Sequence, residues 1–359
     1  MMTHTIVLPL HDRDQVQLVG VRPRDGLLYI CTPSLTADGV EIWHGNPLIS
    51  DSWSLAVTVA VDKPLVELAC LSLDGDQLCM VVRSPIIRQH FCLVDLHSLT
   101  CQKVCLYDAE LTSVAHTDTS YGWVAYQWAS NLEGHGWARF HSVSLQGPPR
   151  FLIESPIVRA SLRRSQPLTH CISAHLLIVA SHLSGTLFLC SLHDLLWKRI
   201  DIVAPEKPLL GMYIFFDSLS SKLITATEGI SKNRWHEHDL FELEMNEEAR
   251  SGQLTRLGRI HSPFLYLSGK VIGLQYYGLY RNENFSLNML SCCWIRPPSL
   301  RLLSVIGVQK LFGTENRVNL VFREKETTAK ICAWSGGICE TKFREQFGYA
   351  HRSDLFSFS

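Results

Sequence analysis

The stretch Ser231 to Asp239, "SKNRWHEHD", holds the densest group of side chains able to do chemistry in this sequence. On a strand, residues two apart share a face, so His236 and His238 could offer two imidazoles to a transition metal. Two ligands do not close a site, and no third stands at a recognisable spacing, so no metal is assigned. Cys292 and Cys293 are adjacent; in a strand they point to opposite faces and serve as packing residues rather than joint ligands. The sequence has no Walker loop, no Gly-x-Gly-x-x-Gly, no Gly-x-Ser-x-Gly elbow and no Cys-x-x-Cys pair, so no catalytic residue and no cofactor are assigned. Glycosidase or lyase chemistry needs two carboxylates converging on a pocket, whereas the Asp and Glu residues here are scattered.

What remains is side chains suited to binding, and these need a frame. Apolar runs of β type follow polar turns at "GLLYICT", "GDQLCMVV", "GWVAYQW", "AHLLIVAS", "SKLITAT", "GKVIGLQ" and "NRVNLVF". Their anchors, Leu28, Leu78, Val124, Leu177, Leu223, Val271 and Val318, are spaced by 50, 46, 53, 46, 48 and 47 residues. A second and a third β-like run follow most anchors, as in "HFCLVDL" and "QKVCLYD", and another precedes each, as in "VELACLSL". Four strands repeated at this period predict an all-β chain, residues 1–359 as a single domain, folded as a seven-bladed β-propeller of four-stranded blades. A ring must hide its edges where the ends meet. The spare runs "THTIVLPL" and "DLFSFS" are therefore expected to close it, the N-terminal strand completing the last blade with the C-terminal tail beside it.

In such a ring the loops from second to third strands gather at one end, with the connections between blades. Arg88, Trp128, His135, Arg234, Trp235, His236, Tyr280 and Arg281 lie in or beside these loops and form the expected partner-binding set. Trp, Tyr and Arg dominate binding hot spots because each buries a large area and keeps a polar handle. Trp128 has a second assignment, as a strand-end packing residue. The long connection "ESPIVRASLRRSQPL" carries Arg159, Arg163 and Arg164 with no acid after Glu154, which suits an acidic peptide or phosphate.

The units resemble kelch and WD repeats in length and strand order, and "FCLVDLHSLTCQKV" resembles the kelch segment in which a strand ending Asp-Leu leads to a turn and an outer strand. No unit carries the kelch double glycine or the Gly-His and Trp-Asp pairs of WD repeats. Runs such as "GTLFLCSLHDLLWKRI" resemble the C-terminal β-rich regions of fungal F-box proteins. That resemblance implies a substrate-recognition region able to join a ubiquitin ligase, although no F-box helix precedes the repeats.

Composition narrows the function classes. Charged residues are 19% and hydrophobic residues 46%, which suits a globular chain. Lys plus Arg number 33 against 34 Asp plus Glu, which removes the basic footprint of a general nucleic-acid binder. No apolar stretch reaches the length of a membrane span. The N-terminus has no basic region of a signal peptide, so a cytoplasmic or nuclear protein with its 12 cysteines reduced is expected. The leading expectation is a non-catalytic scaffold or substrate-recognition propeller for a protein or peptide partner. The alternative is a carbohydrate-binding or carbohydrate-active propeller, although the tryptophans share no repeat position.

Overall fold

The computed structural model describes residues 3–10, 15–61, 64–84, 88–106, 111–130, 135–159, 168–181, 186–203, 212–217, 222–229, 236–246, 250–262, 266–272, 275–281 and 288–294. Their regular structure is β, apart from one 3-10 turn at Ser50–Ser52. A leading strand, β1 (Thr3–Val7), is followed by a first sheet of β2 (Gln17–Val21), β3 (Leu28–Pro33), β4 (Gly39–Gly45) and β5 (Ser54–Ala60). The second sheet is β6 (Leu65–Leu71), β7 (Gln77–Ser84), β8 (Arg88–Asp95) and β9 (Thr100–Leu106). The third is β10 (Ser113–His116), β11 (Trp123–Ser130), β12 (His135–Ser144) and β13 (Gly147–Glu154), with β14 (Val158–Arg159) also paired to β12. The fourth is β15 (Leu168–Ile172), β16 (Leu176–Ser181), β17 (Thr186–Ser191) and β18 (Trp197–Val203). The fifth is β19 (Met212–Asp217), β20 (Lys222–Gly229), β21 (His236–Asn246) and β22 (Ser251–Ser262). The sixth is β23 (Tyr266–Ile272), β24 (Gln275–Arg281) and β25 (Asn288–Trp294), completed by β1.

The strands read as continuous apolar runs because both faces of each sheet are buried, each against a different neighbour. Leu28 and Ile30 face a core shared with Tyr277 and Leu279 of the sixth sheet, while Tyr29 and Cys31 face Leu78 and Met80 of the second. Cys79 and Val81 on the opposite face meet Trp123 and Ala125 of the third. Val124 and Phe140 meet Leu177 and Val179 of the fourth, and Ile178 and Ile200 meet Ile214 and Leu243 of the fifth. Ile224 and Leu240 then meet Tyr276 and Cys293 of the sixth. Six cores thus join six sheets in a closed order, and the innermost strands β23 and β2 are neighbours.

The expected propeller of four-stranded sheets is therefore present, with six sheets among the described residues. The unit anchored at Val318 and the tail "DLFSFS" lie outside them. One expectation is corrected: the N-terminal strand does close a blade, but the blade is the one containing Val271. β1 runs antiparallel to β25, Thr3↔Cys293 through Val7↔Met289, which places Ile6 opposite Leu290 in the core shared with the first sheet. Val271 itself falls in the innermost strand β23, whereas the five earlier anchors fall in second strands. The run "GKVIGLQ" joins the end of one strand to the start of the next.

The fourth and fifth sheets are further fused at their rims. Outer strand β18 pairs in parallel with outer strand β22, Asp201↔Ser251 through Val203↔Gln253. This covers two edges that would otherwise offer unpaired backbone groups.

Candidate interaction surface

Antiparallel order within each sheet sends the turns between first and second strands to one end of the ring, here the lower end. The loops between second and third strands, and the connections between sheets, go to the upper end. At the lower end the turns of the first four sheets each carry one buried polar residue directly after the first strand. Ser72 Oγ accepts from the Gln77 N–H at 2.9 Å and donates to Asp74 at 2.5 Å. Thr117 Oγ1 donates to Gly122 O at 2.8 Å, and Ser173 Oγ accepts from the Leu176 N–H at 3.0 Å. Arg22 holds the same place in the first sheet, Asp217 is the last residue of β19 beside the turn of the fifth, and all five residues are buried. The turns close through left-handed Gly26, Gly75 and Gly122. A Cβ at Gly75 would lie 2.6 Å from Pro23 Cδ, so this glycine also permits the first two sheets to approach.

Charges link the same turns from sheet to sheet. Arg24 pairs with Asp76 at 3.2 Å, and Arg22 pairs with Asp25 while lying over the Tyr29 ring. Burial pushes the Tyr29 hydroxyl up to about 12, against the pull of Arg22. His116 sits edge-on to Trp123 with its Nδ1 buried and unbonded. Burial lowers its pKa, opposed by Asp74 and Asp118, and the Asp74 carboxyl is itself lowered by hydrogen bonds from Ser72 and Asp76, which outweigh its own burial. A depressed histidine contributes stability that is present above its unfolded pKa and lost as pH falls through the folded one. The melting temperature is therefore expected to drop as pH falls from about 7 through the ordinary histidine pKa of about 6.5. His116→Gln should flatten that drop only in part, because burial lowers His141 too. Melts of both proteins across this range are the check; an unchanged slope in the variant counts against the assignment.

The upper-end loops are also held by side-chain networks, and both ends carry exposed apolar residues, Leu99 and Leu196 lying in lower turns. Glu67 at the start of the second sheet accepts from Arg83 Nε at 2.5 Å and from the Gln89 amide. Buried Gln89 in turn accepts from the Leu111 N–H at 2.9 Å and donates to its carbonyl at 3.2 Å, tying the second sheet to the third. Ser34 donates to Glu41 at 2.7 Å while Trp43 Nε1 donates to the other carboxylate oxygen at 3.0 Å. Ser155 accepts from the Ala138 N–H at 2.8 Å and fixes the connection that leaves the third sheet. On these rigid supports Leu35, Leu65 and Ile157 are exposed, at 67%, 39% and 65%. None of the three was in the expected set; the signal was an aliphatic residue next to proline or inside a polar loop, in "PSLTAD", "KPLVE" and "SPIV".

The expected residues are placed as follows. Arg88 begins β8 opposite Ser84, and His236 begins β21 opposite Ser262. His135 on β12 stands opposite Arg159 on β14, so a member of the partner set and a member of the anion loop share one edge. Tyr280 and Arg281 end β24, opposite Met289 and Asn288, and Tyr280 also stands opposite Tyr266, an aromatic that the sequence pattern passed over. Trp128 is half-buried and packs on the core between the third and fourth sheets. Its ring lies over Gly136, where a Cβ would come within 1.6 Å of it. Arg163, Arg164, Arg234 and Trp235 lie outside the described residues. Among the described residues no three His, Cys, Asp or Glu side chains group as a metal site, and no helix is long and apolar enough to cross a membrane.

Strand pairing and the six inter-sheet cores define the class, a β-propeller of four-stranded blades. No protein-family model matches the chain, and no curated protein matches it. Among similar solved structures, one described as the mitotic checkpoint complex is 10% identical with a TM-score of 0.43, covering 82% of this chain and 95% of its own. U3-55K is 9% identical with a TM-score of 0.46, covering 81% and 98%. A putative 6-phosphogluconolactonase from Bacteroides uniformis is 12% identical with a TM-score of 0.42, covering 76% and 93%.

Proposed function

We propose that this propeller is a non-catalytic interaction platform that takes a protein or peptide partner on its upper end. The observation that carries the reading is the exposure of Leu35, Leu65 and Ile157 at that end, on loops fixed by the Glu67 and Ser155 networks. Apolar side chains on preorganised loops cost little ordering entropy when a partner covers them. The aromatic and arginine residues Trp235, Tyr280 and Arg281 are assigned as the anchors, Arg88, His135 and His236 as further partner contacts, and Arg159, Arg163 and Arg164 as an anion-binding loop. A role as the recognition part of a ubiquitin ligase belongs to this proposal as its assembly context.

The test is quantitative affinity purification with three proteins: wild type, Trp235→Ala/Arg281→Glu, and a lower-end control, Leu196→Asp. Leu196 is exposed on a lower turn of the fourth sheet. Loss of a central aromatic anchor typically costs about 2 kcal/mol, roughly thirtyfold in affinity. A specific partner should be lost with the upper-end pair and kept with the control, while both variants melt as wild type. Retention by the upper-end pair and loss with the control would move the site to the lower end. Binding on a glycan panel in place of a protein partner would favour the carbohydrate alternative. Trp128 is unsuited to the test, because its packing on Gly136 makes truncation a stability change.

A further inference from the structure

We propose that Cys101 and Cys92 form a peroxide-oxidisable thiol pair on the outer rim of the second blade. The two residues lie on neighbouring strands β8 and β9, whose register sets Cys92 opposite Lys103 and Val94 opposite Cys101. Cys92 and Cys101 therefore project from the same face as diagonal neighbours. Cys92 is fully buried in the core between the first and second sheets, and Cys101 is exposed on the edge strand. One thiol is reachable by an oxidant and the other is sheltered behind it, both free.

Their surroundings are asymmetric. The neighbouring Cys92 thiol and the positive charge of Lys103 lower the Cys101 thiol from its ordinary value against its partial burial, and its S–H points at the Gln102 carbonyl at 3.7 Å. The neighbouring Cys101 thiol and burial hold Cys92 strongly in its protonated form. Thiolate character and exposure decide which cysteine reacts first. The Cys101 thiol gives its proton to solvent and the thiolate attacks one peroxide oxygen; the O–O bond breaks, hydroxide leaves and takes up that proton as water, and Cys101 becomes a sulfenic acid. Cys92 sulfur then attacks the Cys101 sulfur, the S–O bond breaks, and the hydroxyl leaves with the Cys92 proton as water. Two thiols lose two electrons, and the peroxide gains them.

Diagonal spacing is longer than a relaxed disulfide wants, so Cys101 must move toward Cys92. It is the second residue of an outermost strand and follows a turn with Leu99 at φ 56°, a left-handed backbone that a leucine rarely adopts. Strand ends of this kind open at little cost. The bond is consequently strained and readily reduced, as expected of a reversible site.

The experiment treats the reduced full chain with hydrogen peroxide, alkylates the remaining thiols, and maps linked peptides by mass spectrometry. The expected product has lost two hydrogens and joins the peptides of Cys92 and Cys101, and dithiothreitol reverses it. In Cys101→Ser, Cys92 should stay alkylatable after peroxide. In Cys92→Ala, Cys101 should gain two oxygens, because no resolving thiol is present. The first of these variants changes an exposed residue, which keeps the test readable if the buried alanine fails to fold. Cys101 oxidised to sulfinic acid in the wild type, a link to Cys105 or another cysteine, or a chain inert to peroxide would each overturn the proposal.

Discussion

A chain lacking residues 1–10 is expected to lose its cooperative fold. β1 is the fourth strand of the sixth sheet, and with the following residues it inserts Ile6, Leu8 and Leu10 into the core between the sixth and first sheets. Burying each such side chain contributes about 2 kcal/mol, so roughly 6 kcal/mol is removed before any backbone pairing is counted. That is comparable to the whole net stability of a typical domain, about 5–15 kcal/mol. The deletion also bares β25, "NMLSCCW", as an apolar edge that invites self-association. The result should be aggregated protein or a broad, shallow melt by circular dichroism and gel filtration. Thr5→Lys and Val7→Lys are the controls: both positions are exposed on β1, so they should shift stability by no more than about half a kcal/mol. A sharp native melt from the deleted chain would show that the ring does not depend on this strand.

The propeller was legible because its repeat lies in the second strands, where both faces are buried and most central residues are apolar. Leu28, Leu78, Val124, Leu177 and Leu223 meet that requirement in the same way, and their spacing exposes the period. The sixth unit was harder to place because its fourth strand comes from the other end of the sequence. "LRLLSVI" supplies the expected run locally, while the strand that pairs with β25 is "THTIV". The polar position at the lower turns was invisible for a chemical reason. Arginine, serine and threonine all satisfy it, since each can bond the turn backbone or its neighbour, so no single letter marks it. The upper-end set was only partly legible. Type and loop position pointed to the strand ends that carry Tyr280, Arg281, His135 and Arg159, but not to the exposed aliphatics, because exposure of Leu35 or Ile157 follows from the networks beneath them.

Phe140→Ala is expected to cost about 3–5 kcal/mol, the usual range for removing a fully buried aromatic. Phe140 lies on β12 with no solvent exposure, 5.7 Å from Tyr126 within its own sheet and 6.0 Å from Trp197 on the fourth. Trp197 also donates from Nε1 to Glu154 O at 2.7 Å, so one aromatic group joins the two sheets by packing and by a hydrogen bond. Removing the central ring leaves Trp197 without the surface that orients it, and the cavity cost adds to the lost transfer energy. Phe151→Ala is the comparison: the ring is 55% exposed on the neighbouring strand, and its loss should change stability by about half a kcal/mol. The two variants should separate by several kcal/mol in urea unfolding, with unchanged m-values if both still unfold from the same native ring. On the proposed upper-end binding, partner recovery measured well below the melting point should survive Phe140→Ala, because Phe140 is a core residue with no solvent exposure. Equal stability losses in the two variants would mean that the third and fourth sheets are not held together through Phe140.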